Sequence, residues 1–158
     1  MAAAILCVGR LRERFWADAA AEYEKRLSRF SHFEIVELPD LPEPQNASDA
    51  DREKLVAREG EALLGRVKPG DYVIALCIDA PQTDSEGLAE LLRRTEDAGR
   101  RAVFVIGGSL GLSPAVQQRA DKRLSMSKMT FPHQLARVML LEQLYRARKI
   151  NAGEKYHK

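Results

Sequence analysis

The sequence predicts a single α/β domain: a mostly parallel sheet with helices on both faces. Two nearly continuous apolar runs, Tyr72-Val73-Ile74-Ala75-Leu76-Cys77-Ile78 and Val103-Phe104-Val105-Ile106, have the pattern of strands buried on both sides. Such runs alternate along the chain with stretches of helical periodicity, the signature of βαβ units. The second run stops on Gly107-Gly108, followed by Gly111 and then Ser113-Pro114, which reads as a tight loop before a helix start. Ligands of open α/β sheets bind outside the carboxyl ends of strands, so this loop is the first candidate site. A tight connection that holds nothing has the same pattern, and both readings stand here. The loop has neither the G-x-G-x-x-G spacing of a dinucleotide site nor the Gly-Lys-Ser/Thr ending of a P-loop, which counts against both ligand classes.

A chain of 158 residues fits one domain. At that size roughly 68–70% of the unfolded surface can be buried, so no disulfide or metal staple is needed. There is no run of about 18 apolar residues, hence no expected membrane helix. The opening Met1-to-Gly9 stretch is apolar but short and without a positive leader, and reads as a first strand. Cys7 and Cys77 fall in apolar runs with no C-x-x-C, which fits a reducing, cytoplasmic setting. His32, His133 and His157 lie far apart, so no metal is expected. The net charge is only +2, but residues 115–158 carry ten Lys or Arg against three Asp or Glu. That excess is either a footprint for a polyanion or a set of solvated helix faces.

In order, the first strand is read over Ala2 to Val8. Phe15, Ala19, Tyr23, Leu27 and Phe30 then recur on one helical face, opposite Glu22, Glu24, Lys25, Arg26 and Arg29. Phe33 to Leu38 alternates, as a strand with one wet face near a sheet edge does. Pro39, Pro42 and Pro44 stiffen an exposed loop. Ser48 and Asp51 can form a capping box for a helix running to about Val67, with Leu55, Ala62 and Leu63 inward. After the strand from Tyr72, Thr83 to Glu86 is read as another capping box, with Leu88, Leu91, Leu92 and Thr95 on the buried face. Gly99 ends that helix. Ser113 caps the next, with Pro114 at its first position.

The second informative stretch is Leu124-Ser125-Met126-Ser127-Lys128-Met129-Thr130-Phe131-Pro132-His133-Gln134. Leu124 to Ser127 alternates like a short strand, and Pro132 bars helix before itself. A second loop therefore sits at a strand end, before a last helix from Gln134 to about Lys149. His133, in its first turn, either bonds a neighbouring loop or acts on a substrate. Leu135, Val138, Met139, Leu140, Leu141 and Leu144 make an apolar face wider than one stripe, which a second subunit or another part of the chain must cover. Glu142 within it needs a partner such as Arg137 or Arg146. Tyr156 and His157 belong to a polar tail that frays unless tied down.

These blocks, taken together and in order, strongly resemble one family over essentially the whole chain. They are Val8-Gly9 with its Arg-rich connection, Phe104 to Gly108 with Gly111-Leu112, Leu124-Ser125 through Thr130 to Gln134, Arg137-Val138, Glu142 to Ala147, and Tyr156-His157. The family is the ribosomal RNA large subunit methyltransferase H family, of the SPOUT class. The resemblance implies methyl transfer from S-adenosylmethionine to N3 of a pseudouridine in large-subunit ribosomal RNA; the near-neutral net charge, which would hold free RNA weakly, favours RNA within a ribosomal particle as the expected partner. It implies a homodimer, no membrane association, and a trefoil knot in the part from about 71 to 158. Bottom-up rules would not have given the knot, because knots are close to absent among folds. It places the cofactor against Leu76, Gly108, Ser127, Lys128, Met129, Thr130, Phe131 and Pro132. His133 becomes the candidate for orienting the base or taking its proton, with Arg137, Tyr156 and His157 as contacts to the RNA. Gly107 and Gly108 are expected to leave room for a ligand. Leu110, apolar within the glycine loop, departs from the family pattern, as does the plain Ala2 to Ala4 start. A non-catalytic RNA- or ribosome-binding module of the same fold is the alternative, and leaves the two loops unexplained.

Overall fold

The computed structural model describes residues 3–158. In chain order its elements are β1 (Ala3–Val8), α1 (Arg14–Leu27), β2 (Phe33–Leu38), α2 (Asp49–Leu64), β3 (Tyr72–Leu76), α3 (Ser85–Asp97), β4 (Ala102–Ile106), α4 (Pro114–Arg119), β5 (Lys122–Leu124) and α5 (His133–Asn151). The strands form one sheet in the order β2-β1-β4-β3-β5, and every pairing is parallel. β1 and β4 lie inside it and are buried at every residue, which is why they read as unbroken apolar runs. β2 is an edge strand and only its last residue is fully buried, matching its alternating sequence.

Side chains leave a strand to alternate sides, and the two sets build two cores. Ile5, Ile74 and Phe104 pack on one face against Leu27 of α1, Leu92 of α3 and Leu141 and Leu144 of α5. Leu6, Val73, Val103 and Val105 pack on the other against Leu63 of α2 and Val116 of α4. The expected α/β domain with helices on both faces is what the chain forms. Among the described residues no helix is long and apolar enough to cross a membrane.

The caps of α2 and α4 form as read: Ser48 and Asp51 close a reciprocal box, and Ser113 Oγ accepts from the Val116 N–H at 3.2 Å. Four readings are corrected. The cap of α3 is Asp84, which accepts from the Gly87 N–H, so the box read from Thr83 is one residue early. The last short strand is Lys122–Leu124, not Leu124 to Ser127, because β3 offers it pairing only from Ile74 to Leu76. Phe15 points into solvent instead of the core, since it occupies the first turn of α1 beyond the sheet. Ala62 is exposed, and Glu59 and Gly60 take the inward positions of α2. Ala2, read as the first strand residue, lies outside the described residues.

The basic last third is not a bare positive face. Arg119 pairs with Asp121, Arg137 with Glu37, Arg146 with Glu142, Arg148 with Glu96 and Lys149 with Glu154. Arg146 thus answers the need foreseen for Glu142. At the amino ends of the strands, Arg101 binds Asp71 at 2.7 Å and Glu34 at 2.6 Å, while Asp121 meets Arg100 and Arg119.

Candidate active site

Three connections converge at the carboxyl ends of β3, β4 and β5, where residues 77–79, 107–112, 126–127 and 129–132 border a cleft of about 920 Å³. Residues 125–132 leave the β5 edge, cross the ends of β3 and β4, and deliver the start of α5 beside β1. The crossing is braced from within: Ser125 Oγ donates to the Ser127 carbonyl at 2.9 Å, and the Met129 N–H donates to Ser127 Oγ at 3.1 Å. Pro132 ends the crossing because it cannot be preceded by helix, and α5 starts at the next residue.

Leu76, Gly108, Ser127, Met129, Thr130, Phe131, Pro132 and His133 all border this one cleft. Leu76, Ile78, Leu112, Met126 and Phe131 supply apolar wall. Ile78 and Met129 are 52% and 70% exposed, unusual for large apolar side chains that fold into a core elsewhere. Against these walls lie backbone polar groups: among the described residues, the peptide groups of Thr130 and Phe131 bond to no other peptide group. The space thus offers flat apolar surface with hydrogen-bonding groups at its edge, the usual make-up of a small-ligand site.

Gly107 has a different reason to be glycine than the one expected. A Cβ there would stand 2.7 Å from the carbonyl carbon and oxygen of Gly111, so the turn closing on itself excludes a side chain. At Gly108 a Cβ would meet Glu59 Oε1 and Oε2 at 3.5 Å, an ordinary contact. Both residues present backbone to the cleft.

His133 begins α5, and its ring makes no side-chain hydrogen bond among the described residues. Its ring lies over Gly9: a Cβ on Gly9 would be 3.8 Å from His133 Cε1 and 3.9 Å from the carboxyl carbon of Asp40. Those are ordinary contacts, but Gly9 adopts φ +86, a left-handed conformation that favours glycine, so the backbone requires it. Beside it Glu59 is buried; burial raises its carboxyl above the usual range, the nearby Asp40 charge adds to this, and the Leu41 N–H opposes it.

Arg137 is not at the surface where an RNA phosphate would meet it. Its side chain is 2% exposed, Nη1 donates to Glu37 at 2.6 Å and Nη2 to the Gly9 carbonyl at 2.8 Å, leaving Nε buried without a partner. One turn from His133, it ties the start of α5 to the ends of β1 and β2. Lys128 is exposed at the loop and does not border the cleft. Tyr156 and His157 lie at the other end of α5, about 20 Å along the helix from His133. There Tyr156 stacks edge-on with Tyr145 at 4.8 Å and donates to Glu142 at 3.2 Å, and His157 Nδ1 meets Arg146 at 3.3 Å. The tail is tied down rather than frayed.

The sequence reading missed Cys77, Asp79, Asp40, Glu59, Gln117 and Arg123, which border the cleft or lie just behind it. Cys77 to Asp79 carried a usable signal, as they directly follow a buried strand. Asp40 and Glu59 did not, since only the fold brings them to Gly9 and Gly108.

A family model described as predicted SPOUT methyltransferase matches residues 1–157. Among solved structures, a probable methylase family protein from Haemophilus influenzae Rd KW20 is similar at 11% identity, with a TM-score of 0.55, covering 99% of this chain and 70% of that one. A probable methyltransferase from Bordetella pertussis Tohama I is similar at 16% identity, with a TM-score of 0.54, covering 93% of each chain. At these identities the two structures speak for the fold.

Proposed function

The chain belongs to the SPOUT methyltransferase family, and from that membership we propose that it transfers a methyl group from S-adenosylmethionine to N3 of a pseudouridine in large-subunit ribosomal RNA. The observation that carries the reading is the cleft: apolar walls, peptide groups without peptide partners, and His133 at its border. This lining fits the cofactor. Leu76, Met129 and Phe131 suit the faces of an adenine ring, and the peptide groups of 127–132 suit its polar edge. Bound there, S-adenosylmethionine supplies an electrophilic methyl on a sulfonium that departs as a neutral thioether.

The chain's own part is placement and proton removal. N3 carries a proton that must leave as the new N–C bond forms, and His133 accepts it on a ring nitrogen. Arg137 and Gly9 hold the first turn of α5, and so the imidazole, in position. Tyr156 and His157 are too far from their own chain's His133 to act on the same nucleoside. A homodimer solves this, one protomer's tail serving its partner's cleft, and the half-buried Leu135, Val138 and Met139 provide apolar surface for the pairing. The knot over about 71–158 is part of the same proposal, supported by the passage of residues 125–132 across the ends of β3 and β4.

The test is methyl transfer from labelled S-adenosylmethionine to ribosomal subunits, intact ribosomes and protein-free RNA. Label on one pseudouridine of a ribosomal particle is expected. No label anywhere overturns the substrate. The cofactor is tested separately: at about 100 times its dissociation constant it should stabilise the fold by about 2.7 kcal/mol, and NAD or ATP should not.

A further inference from the structure

We infer that the β1–α1 connection and the first turn of α1 form a docking surface for RNA, at the rim of the cleft beside His133. The inference deepens the RNA-methylating reading above and rests on it for the identity of the RNA.

Residues 10, 12 and 14 are arginines, all exposed, and the Arg14 side chain is 93% exposed. Arg10 and Arg12 form no ion pair or side-chain hydrogen bond among the described residues, and Arg14 reaches only the exposed Asp18 at 3.7 Å. Phe15 follows, 64% exposed, with its ring 4.9 Å from that of the half-buried Trp16.

Folding does not account for this composition. The amino end of a helix carries partial positive charge and favours acidic residues, yet the first turn of α1 has none, and Arg10, Arg12 and Arg14 outnumber the one acidic residue of its approach, the N-cap Glu13. A ring as large as that of Phe15 gains nothing from standing in water. Most other arginines near strand ends are engaged: Arg100, Arg101, Arg119 and Arg137 all hold carboxylates.

Position gives the surface its meaning. Gly9 immediately precedes Arg10, and the His133 ring lies over Gly9. The large exposed apolar residues Ile78 and Met129 border the cleft, and the third, Phe15, follows β1 and Gly9 in the first turn of α1. Guanidinium groups that bind phosphate, next to rings on which a base can stack, are the two components of single-strand RNA recognition. A second copy of the chain fits less well. A two-fold interface centred here would set these arginines against their own copies, a like-charge contact.

The experiment measures binding to 70S ribosomes and to poly(U) across a salt series, for wild type, R10A/R12A and Phe15→Ala. Melting temperature, S-adenosylmethionine binding and oligomeric state serve as controls. R10A/R12A should bind about 10- to 30-fold more weakly, with a log–log salt slope shallower by about 2. Phe15→Ala should lose about 10-fold with the slope unchanged. Melting temperature, cofactor affinity and oligomeric state should hold. Unchanged affinities in both variants overturn the inference, and so does conversion of either variant to a smaller oligomer, which would make this an interface between copies. If wild type methylates no ribosomal RNA but its poly(U) binding depends on these residues, the surface stands and the substrate falls. If ribosomal methylation and binding are indifferent to the substitutions, the substrate stands and the surface falls.

Discussion

At the amino ends of the strands, Arg101 is held between Asp71 and Glu34, and Asp121 between Arg100 and Arg119. At the carboxyl ends of the same strands, the His133 ring is without a hydrogen bond among the described residues, and Ile78 and Met129 stand half or more in solvent. One end satisfies its charges internally; the other leaves polar and apolar groups without protein partners. The contrast separates two tasks. Residues at the closed end stabilise the sheet, and on the proposed function residues at the open end are retained at some cost to stability because they face the cofactor. Glu59 marks that cost, a buried carboxyl pushed up behind the glycine loop, where Asp71 at the other end is a buried carboxyl held down.

The largest expected effect comes from the open end. His133→Ala should reduce methyl transfer about 100- to 10,000-fold, the range for a general base. Stability should stay within about 0.5 kcal/mol, because the ring has no polar partner to lose. A rate within a few-fold of wild type, measured with labelled cofactor, removes His133 from the chemistry. Arg137→Met breaks the division on purpose, since Arg137 is a structural residue placed at the open end. It strands the Gly9 carbonyl and Glu37, and because Glu37 stays partly solvated the loss should be about 3 kcal/mol in denaturant unfolding, at the low end for a broken buried pair. Methyl transfer should fall with it, as the first turn of α5 loosens. A stable but inactive Arg137→Met protein would return Arg137 to the RNA contact expected from the sequence.

At the closed end, Asp71→Asn should cost about 2 kcal/mol at neutral pH and leave the turnover of folded protein unchanged. Burial works to raise the Asp71 carboxyl, but the bonds from Arg101 and from the Lys68 N–H outweigh it and hold it below the usual range. The folded chain therefore takes up this proton less readily than the unfolded one. Its contribution is complete above about pH 4 and is lost as the pH falls through the folded value. Asp121 behaves the same way through the Val73 N–H, Arg119 and Arg100, again against its burial. Acid unfolding curves should be flatter below about pH 4 in Asp71→Asn than in wild type. Glu59→Gln should do the opposite and raise stability at neutral pH, since it removes a charge that burial disfavours. A neutral-pH loss in Glu59→Gln would mean that this end is not held at a cost.

Legibility in the sequence followed the same division. Strands buried on both faces declare themselves by composition, so β1, β3 and β4 were readable from Ile5, Ile74 and Phe104 and their neighbours. Caps were readable because Ser48 and Ser113 act on atoms three residues away. Both loops of the cleft were found, since glycines and Pro132 punctuate local backbone. What stayed hidden depends on contacts between distant positions. Arg137 reads as a surface cation on a basic helix until β2 brings Glu37 to it, 100 residues earlier in the chain. Gly107 reads as room for a ligand until the turn folds Gly111 against it. The capping box read from Thr83 failed differently, because Asp84 offers an equally good cap one residue on.

The smallest effect tests whether the exposed apolar side chains of the cleft face a ligand or are simply tolerated there. Met129 is 70% exposed, so Met129→Ala removes little buried surface, and unfolding free energy should change by less than about 0.5 kcal/mol. If its thioether and methyl pack on a bound adenine, they are covered only in the complex. Covering the two carbons lost is worth roughly 1.6 kcal/mol at about 0.8 kcal/mol each. S-adenosylmethionine should then bind about 5- to 30-fold more weakly by calorimetry, with the melting temperature of the free protein unmoved. A change in free-protein stability without a change in affinity would make Met129 part of the fold, and its exposure would cease to distinguish the open end of the sheet from the closed one.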